Sequence, residues 1–259
     1  MPEPTGACSG LVVRDLTVRY GGAVAVEGLD LDVPGGRITG LIGPNGAGKT
    51  TTFNACTGLI RPSGGMVLLD CVDVTVAPPQ HRARLGLGRT FQRMKLFESA
   101  SVATNVALGR EALMAGGNPW RHLRQTRRER RAITAAAHEA LALCGISHLA
   151  GAGVADLSTG QRRLVELARV VAGGFSLLLL DEPSSGLDVN ETDEFGRVLE
   201  QLVGQRGVGI LLVEHDMRLV MSVCARIHVI DFGRPIFQGT PEETQASAIV
   251  QAAYLGAAA

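Results

Sequence analysis

Residues Gly43-Pro44-Asn45-Gly46-Ala47-Gly48-Lys49-Thr50 carry the spacing G-x-x-x-x-G-K-[ST]. The chemistry that needs this spacing is the cradling of a chain of phosphates. Glycines let the backbone turn tightly and aim several N–H groups at one concave face. The N-terminus of a following helix adds a favourable field for negative charge. A lysine at the helix start can reach the β- and γ-phosphates, and the hydroxyl after it is a ligand for Mg2+. The candidate phosphate-binding set runs from Gly43 through Lys49 and Thr50 to Thr51.

Other residues of chemical interest lie far from this loop in sequence. Leu177 to Leu180 is apolar without alternation, which suits a strand covered on both faces, and it ends in Asp181-Glu182. Ligands of open α/β sheets bind at such C-terminal strand ends. Asp181 can hold Mg2+, while Glu182, one residue on, points elsewhere and can polarise an attacking water. A second buried run, Gly209 to Val213, ends in Glu214-His215-Asp216. His215 is either a structural histidine or a donor to a γ-phosphate. Leu157-Ser158-Thr159-Gly160-Gln161 precedes a segment with Leu164, Val165, Leu167, Ala168, Val171 and Ala172 at helical spacing. Ser158 is either an N-cap or part of a second anion site. Tyr20, upstream of the phosphate loop, is either an ordinary strand-end tyrosine or a platform on which adenine stacks.

The elements that must position these residues follow from pattern. Leu11 to Arg19 and part of Val24 to Val33 alternate around Gly21-Gly22, predicting an antiparallel strand pair. Arg37 to Ile42 reads as the strand entering the phosphate loop, and Lys49 to Thr57 as the helix leaving it, stopped by Gly58. Met66 to Leu69 and Leu87 to Gln92 read as strands, and Asp70 to Asp73 as a turn. Ser101 to Met114 and Arg121 to Leu143 read as helices. The second opens with Arg121, Arg124, Arg127, Arg128, Arg130 and Arg131 against the single acid Glu129, which is either a solvated face or a contact for a partner or lipid phosphates. Ala225 to Ile230 and Pro235 to Gln238 read as closing strands, Pro241 as the start of a short helix, and Ile249 to Leu255 as a last helix.

Composition bounds the classes. A chain of 259 residues with 46% hydrophobic residues can bury a sizeable core. Lys plus Arg and Asp plus Glu number 25 each, so no net charge points to nucleic acid or a membrane surface. Five scattered cysteines without C-x-x-C spacing argue against a disulfide framework or zinc site and for a reducing compartment. Met1 to Gly10 does not read as a signal peptide, and no apolar run approaches the ~20 residues of a membrane span. The expectation is a soluble, cytosolic polypeptide whose membrane role, if any, comes through a partner.

Taken in order, Tyr20, the phosphate loop, Gln92, Ser158 to Gln161, Asp181-Glu182 and His215 resemble the motifs of the ATP-binding subunits of ABC transporters, and Ser185-Gly186-Leu187-Asp188 matches the family's D-loop. The one departure is Thr159, where the family's signature usually has glycine. Gly88-Arg89-Thr90-Phe91-Gln92, Leu96-Phe97, the long helical insert, Val213 to Met217 and the ending Ala253-Tyr254-Leu255-Gly256 resemble the ATPases of branched-chain amino acid importers. Importers of amides and urea share the pattern, and lipid or lipopolysaccharide exporter ATPases are the nearest rival. DNA-repair ATPases with the same motifs carry a long coiled coil between them, whereas Lys49 and Ser158 here are 109 positions apart without sustained heptads. A metabolic kinase would lack the signature helix.

The resemblance implies an α/β fold of the P-loop NTPase (RecA-like) type. A mostly parallel core sheet would carry an N-terminal antiparallel β subdomain and an inserted α-helical subdomain. The single domain would span residues 11–259, with a core at 11–92 and 162–240, the helical subdomain at 93–161 and a helical tail at 241–259. It implies ATP and Mg2+ as cofactors, the metal held by Thr50, Gln92 and Asp181. Glu182 and His215 would be catalytic. Ser158, Gly160, Gln161 and Asp188 would act on the ATP of a facing subunit. The implied partners are a second ATPase, two transmembrane permease subunits and, indirectly, a substrate-binding protein, with no nucleic acid. The implied place is the cytoplasmic face of the cell membrane, as a peripheral subunit.

Overall fold

The computed structural model describes residues 9–90, 96–115 and 126–256. Ten strands form two sheets among these residues. The first contains β1 (Leu11–Tyr20), β2 (Ala23–Val33), β4 (Gly64–Leu69) and β5 (Val72–Asp73), ordered β2-β1-β4-β5 and antiparallel throughout. The second has the order β10-β9-β3-β8-β7-β6, from β3 (Ile38–Ile42), β6 (Leu87–Arg89), β7 (Leu177–Asp181), β8 (Gly209–Val213), β9 (Arg226–Asp231) and β10 (Arg234–Gly239). It is parallel except for β10 on the edge. This is the expected division into a mostly parallel core sheet and an antiparallel sheet formed largely from the N-terminal residues.

The central strands show why an unbroken apolar run was needed. Leu177 and Leu179 belong to a core shared with the antiparallel sheet and with Phe53 of α1 (Lys49–Thr57). Leu178 and Leu180 point the other way, into a core completed by helices. Side chains alternate across a strand, so a strand buried on both faces must be apolar at every position. Leu211 and Val213 face the first core and Ile210 and Leu212 the second, by the same rule.

The helical side is built from α3 (Val102–Ala115), α4 (Arg127–Leu143), α5 (Thr159–Ala172), α6 (Val189–Arg206) and α7 (Met217–Val223). The short α2 (Pro79–Arg84) packs near β6, and α8 (Pro241–Ala246) and α9 (Ala248–Gly256) close the chain. None of these helices is long and apolar enough to cross a membrane.

Several boundaries differ from the sequence expectation. α4 starts at Arg127, not Arg121. Thr126 is its extended N-cap, accepting from the Glu129 amide while the Glu129 side chain reaches back to the Thr126 amide. The capping box fixes the start, and a count of arginines could not. Residues 116–125, with Arg121 and Arg124, lie outside the described residues; Arg127, Arg128, Arg130 and Arg131 are exposed. The segment Asp70 to Asp73 is a turn only at Asp70-Cys71, both at positive φ, because Val72 and Asp73 already pair with β4. The strand expected over Leu87 to Gln92 ends at Arg89, and Phe91 and Gln92 lie outside the described residues.

Candidate functional site

The phosphate loop leaves the C-terminal end of β3 at the centre of the parallel sheet. Gly43 has φ 156°, and a Cβ there would lie 2.0 Å from the Ile230 carbonyl oxygen on β9, so only glycine lets the loop start this close to its neighbour. Gly48 is the N-cap of α1 at φ 100° and offers no side chain to the first helical N–H groups. Those donors therefore point at the cleft without an internal partner, which suits an anion.

The cleft above the loop measures about 440 Å3. Asn45 through Thr51 line it, joined by Glu182 from the end of β7, Val24 and Ala25 from the start of β2, and Phe232-Gly233 from the β9–β10 turn. Pro44 instead faces a second hollow, between the loop and Ala252-Ala253 of α9. Lys49 is buried, and its ammonium donates to the carbonyls of Gly43 at 2.7 Å and Pro44 at 2.9 Å. Burial pulls this lysine below its ordinary value, and the nearby Glu182 and Asp181 carboxylates pull it back up.

Asp181 sits beneath the cleft at the end of β7, almost wholly buried, its amide donating to the Thr90 hydroxyl at 3.2 Å. Burial, then the Glu182 charge, pushes its carboxyl up to about 6; Arg89 and Lys49 oppose the rise and Glu214 adds to it. Crowded carboxylates beside a phosphate loop are the environment a cation relieves. No cluster of three His, Cys, Asp or Glu able to hold a metal occurs among the described residues. Mg2+ does not need one, because it takes one or two protein oxygens, keeps waters and takes the rest of its shell from phosphates. The oxygens of Asp181 and Thr50 fit that pattern.

Glu182 adopts φ 47°, a left-handed conformation uncommon for a non-glycine residue. The turn carries its side chain out of the sheet and into the cleft. His215 stands at the end of the adjacent strand β8 with its side chain 60% exposed and Nδ1 3.6 Å from a Glu214 oxygen. It flanks the cleft without lining it. Tyr20 is 52% exposed at the tip of the β1–β2 hairpin and also stays off the cleft wall.

The signature residues face elsewhere. Ser158 is the N-cap of α5, accepting from the Gln161 amide at 3.2 Å while Gln161 Oε1 accepts from the Ser158 amide at 3.0 Å. This helix end opens on a separate hollow of about 260 Å3 shared with Glu191 and Leu187. Asp188 caps α6 through the amides of Asn190 and Glu191. Thr159 is exposed and Gly160 buried, with the Glu191 carboxylate pressed so close that a Cβ on Gly160 would lie 2.4 Å from it. Gln92 lies outside the described residues.

Sequence reasoning missed three groups. Phe232, 89% exposed and at φ 44°, lines the cleft because Gly233 is tied to Ala47 by a 3.0 Å hydrogen bond. Its only sequence signal was an aromatic inside an Asp-Phe-Gly turn. Arg163, buried on α5, donates to the Ser185 carbonyl and pairs with Glu166 at 3.3 Å, joining the signature helix to the D-loop. Glu214, buried just after β8, accepts from Ser184 and from the amides of His215 and Asp216, and had no signal of its own beyond its place at the strand end.

The match of residues 26–185 to the ABC transporter family covers the loop, the signature and Asp181-Glu182 together. The chain belongs to the ABC transporter family. Over 253 residues it is 39% identical to the high-affinity branched-chain amino acid transport ATP-binding protein BraF of Pseudomonas aeruginosa, covering 96% of this chain and 98% of that one. It is 38% identical over 251 residues to the protein of the same description, LivG, from Escherichia coli K12, with 96% and 98% covered. The crystal structure of the ADP conformation of MJ1267, an ATP-binding cassette of an ABC transporter, matches with a TM-score of 0.83 at 25% identity over 95% of this chain and 98% of that one. The cassette is thus a nucleotide-binding unit of an ABC transporter, and its activity is ATP hydrolysis that powers transport.

Proposed function

We propose that this chain is one of two ATPases, facing each other head to tail, of an importer for branched-chain amino acids. The observation that carries the head-to-tail arrangement is the separation of the two hollows. The phosphate-loop cleft receives Glu182 but nothing from Ser158 to Gln161, whose helix end opens on its own recess. A triphosphate in the cleft meets donors on one side only, and a second subunit's signature supplies the other. The relatives described as branched-chain amino acid transport proteins support the solute class.

In this reading Tyr20 stacks on adenine and Gly43, Pro44, Asn45, Gly46, Ala47, Gly48, Lys49, Thr50 and Thr51 hold the phosphates. Lys49 leaves the loop carbonyls for the β- and γ-phosphate oxygens. Thr50, Asp181 and Gln92 would hold Mg2+, which would supply neutralisation of the phosphate charge. Glu182 accepts a hydrogen bond from water and orients it in line with the γ-phosphate, and His215 donates to that phosphate. Ser158, Gly160, Gln161 and Asp188 act on the ATP of the facing subunit. Loss of the γ-phosphate removes the bridge, and the pair opens. Residues 11–92 and 162–240 form the ATPase core and 93–161 the helical subdomain. That subdomain bears on two permease subunits at the cytoplasmic face of the membrane, and a binding protein delivers the amino acid.

Glu182→Gln tests the chemistry. It keeps the shape but removes the acceptor, so ATP binding is retained, turnover falls by at least about 100-fold and the closed pair accumulates. Hydrolysis at the parent rate would remove Glu182 from the role. Co-purification from membranes tests the transport class. Two multi-span subunits and a protein that binds leucine support import, and exporter subunits in their place refute it.

A further inference from the structure

Glu214 is the first residue after β8, and its side chain has no exposure to solvent. Its two oxygens are divided between two loops. One accepts from the Ser184 amide at 2.8 Å and the Ser184 hydroxyl at 2.6 Å. The other accepts from the amides of His215 at 3.0 Å and Asp216 at 3.3 Å. Ser184 lies two residues beyond Glu182 in a turn closed by the Ser185 amide on the Glu182 carbonyl. One buried carboxylate therefore grips the turn that bears Glu182 and the loop that bears His215.

Two observations argue that this is more than packing. A buried carboxylate is costly, and an apolar side chain of similar volume could fill the same place. Four donors, one of them a short hydroxyl, hold it here. In addition, Glu182 is kept in a left-handed backbone conformation, which persists only where the surroundings over-determine it. The Glu182 amide donates to the Val213 carbonyl at 2.8 Å, and the grip of Glu214 on Ser184 holds the same turn two residues on.

We infer that Glu214 is a positioning residue for hydrolysis: it fixes the Glu182 turn against the His215 loop, so that a shift of His215 at the γ-phosphate is passed to Glu182. The carboxylate is fully buried and does not line the cleft, so it acts through the two loops that it holds. The inference rests on the ATPase reading above.

The test compares parent, Glu214→Gln, Glu214→Asp, Ser184→Ala and the Glu214→Gln/Ser184→Ala double variant in the full chain assembled with its partners. Steady-state ATPase and ATP binding are measured. Glu214→Gln is expected to lose at least about 10-fold in kcat while KM for ATP stays within about 3-fold. Glu214→Asp recovers part of the loss. Ser184→Ala, which removes a single hydroxyl and keeps the fold testable should Glu214→Gln not fold, loses about 3-fold or more in kcat alone. The double variant is no slower than Glu214→Gln, because both changes cut one link. Parent kcat in Glu214→Gln or Ser184→Ala, multiplicative losses in the double variant, or a rise in KM that accounts for the whole loss would each overturn the inference. A parent complex that neither binds nor hydrolyses ATP would instead overturn the reading beneath it.

Discussion

Arg82, on the short helix α2, is 1% exposed and has four carbonyl partners. Its guanidinium donates to Ala55 and Cys56 at 2.7 Å each, to Ala77 at 3.0 Å and to Thr75 at 3.2 Å. Ala55 and Cys56 belong to the last turn of α1, where carbonyls run short of helical donors, Ala55 receiving the Gly58 cap amide at 3.2 Å, and the dipole favours a cation. The same arginine holds the far end of the phosphate-loop helix and the loop that follows β5. Arg82→Met removes the donors and keeps the stem. Hydrogen bonds from a charged donor contribute about 1.5 kcal/mol net each, so four give roughly 6 kcal/mol. Relief of the buried charge returns several, leaving an expected loss of about 3–4 kcal/mol. That is a large share of a typical stability of about 5–15 kcal/mol. Arg82→Lys, with three donors on one atom, is expected to lose about half as much. The assay is urea unfolding followed by circular dichroism, with ATP binding read on the folded fraction. A loss below about 1 kcal/mol for Arg82→Met, with no change in the slope of the transition, would refute the reasoning that these carbonyls depend on Arg82.

Phe232→Ala removes an exposed ring from the cleft wall and is expected to raise the ATP dissociation constant about 3- to 10-fold, with stability unchanged, by equilibrium dialysis. Gly160→Ala puts a methyl where the Glu191 carboxylate lies; Glu191 swings away and gives up its 3.1 Å bond to the Asp188 amide. ATPase of the assembled pair is expected to fall at least about 10-fold while the single subunit still binds ATP, as binding and turnover assays will read. His228 is buried on β9, and burial lowers it to about 4 from 6.5. The unfolded chain takes up that proton first, so stability present above pH 6.5 is lost as pH falls toward 4, by up to about 3 kcal/mol. Replacement by leucine should flatten that part of the stability profile, and an unchanged acid limb would show that His228 is not its source.

Much of this architecture was legible because burial on both faces leaves a one-dimensional trace. Leu177 to Leu180 and Gly209 to Val213 are unbroken apolar runs; β8 begins and ends with its run, and β7 runs one residue past its own, to Asp181. Caps were equally readable: Ser158 opens α5 and Pro241 opens α8. The helix α6 is signalled by Asp188 and Glu191, a capping box whose first residue is also the last of the D-loop. Arg82, Arg163 and Glu214 could not be found in the same way. Each is held in part by a group distant in sequence, Arg82 by Ala55 and Cys56, Arg163 by Ser185 and Glu214 by Ser184, and local pattern carries nothing about such partners. Phe232 was hidden for the opposite reason, an apolar side chain left outside by a turn whose geometry depends on the Ala47 carbonyl.

In the head-to-tail pair proposed above, the two recesses, one above Lys49 and one beside Ser158, also set how defects combine. If the facing subunit is a different protein, the assembly holds two unlike reaction chambers. One joins this chain's lysine to the other protein's signature, and the reverse chamber borrows Ser158 and Thr159 from here. Lesions at Lys49 and at Ser158 then silence opposite chambers, so placing both in this chain disables the machine twice over. A lesion at Lys49 paired with one in the other protein's signature wounds the same chamber and leaves its companion intact.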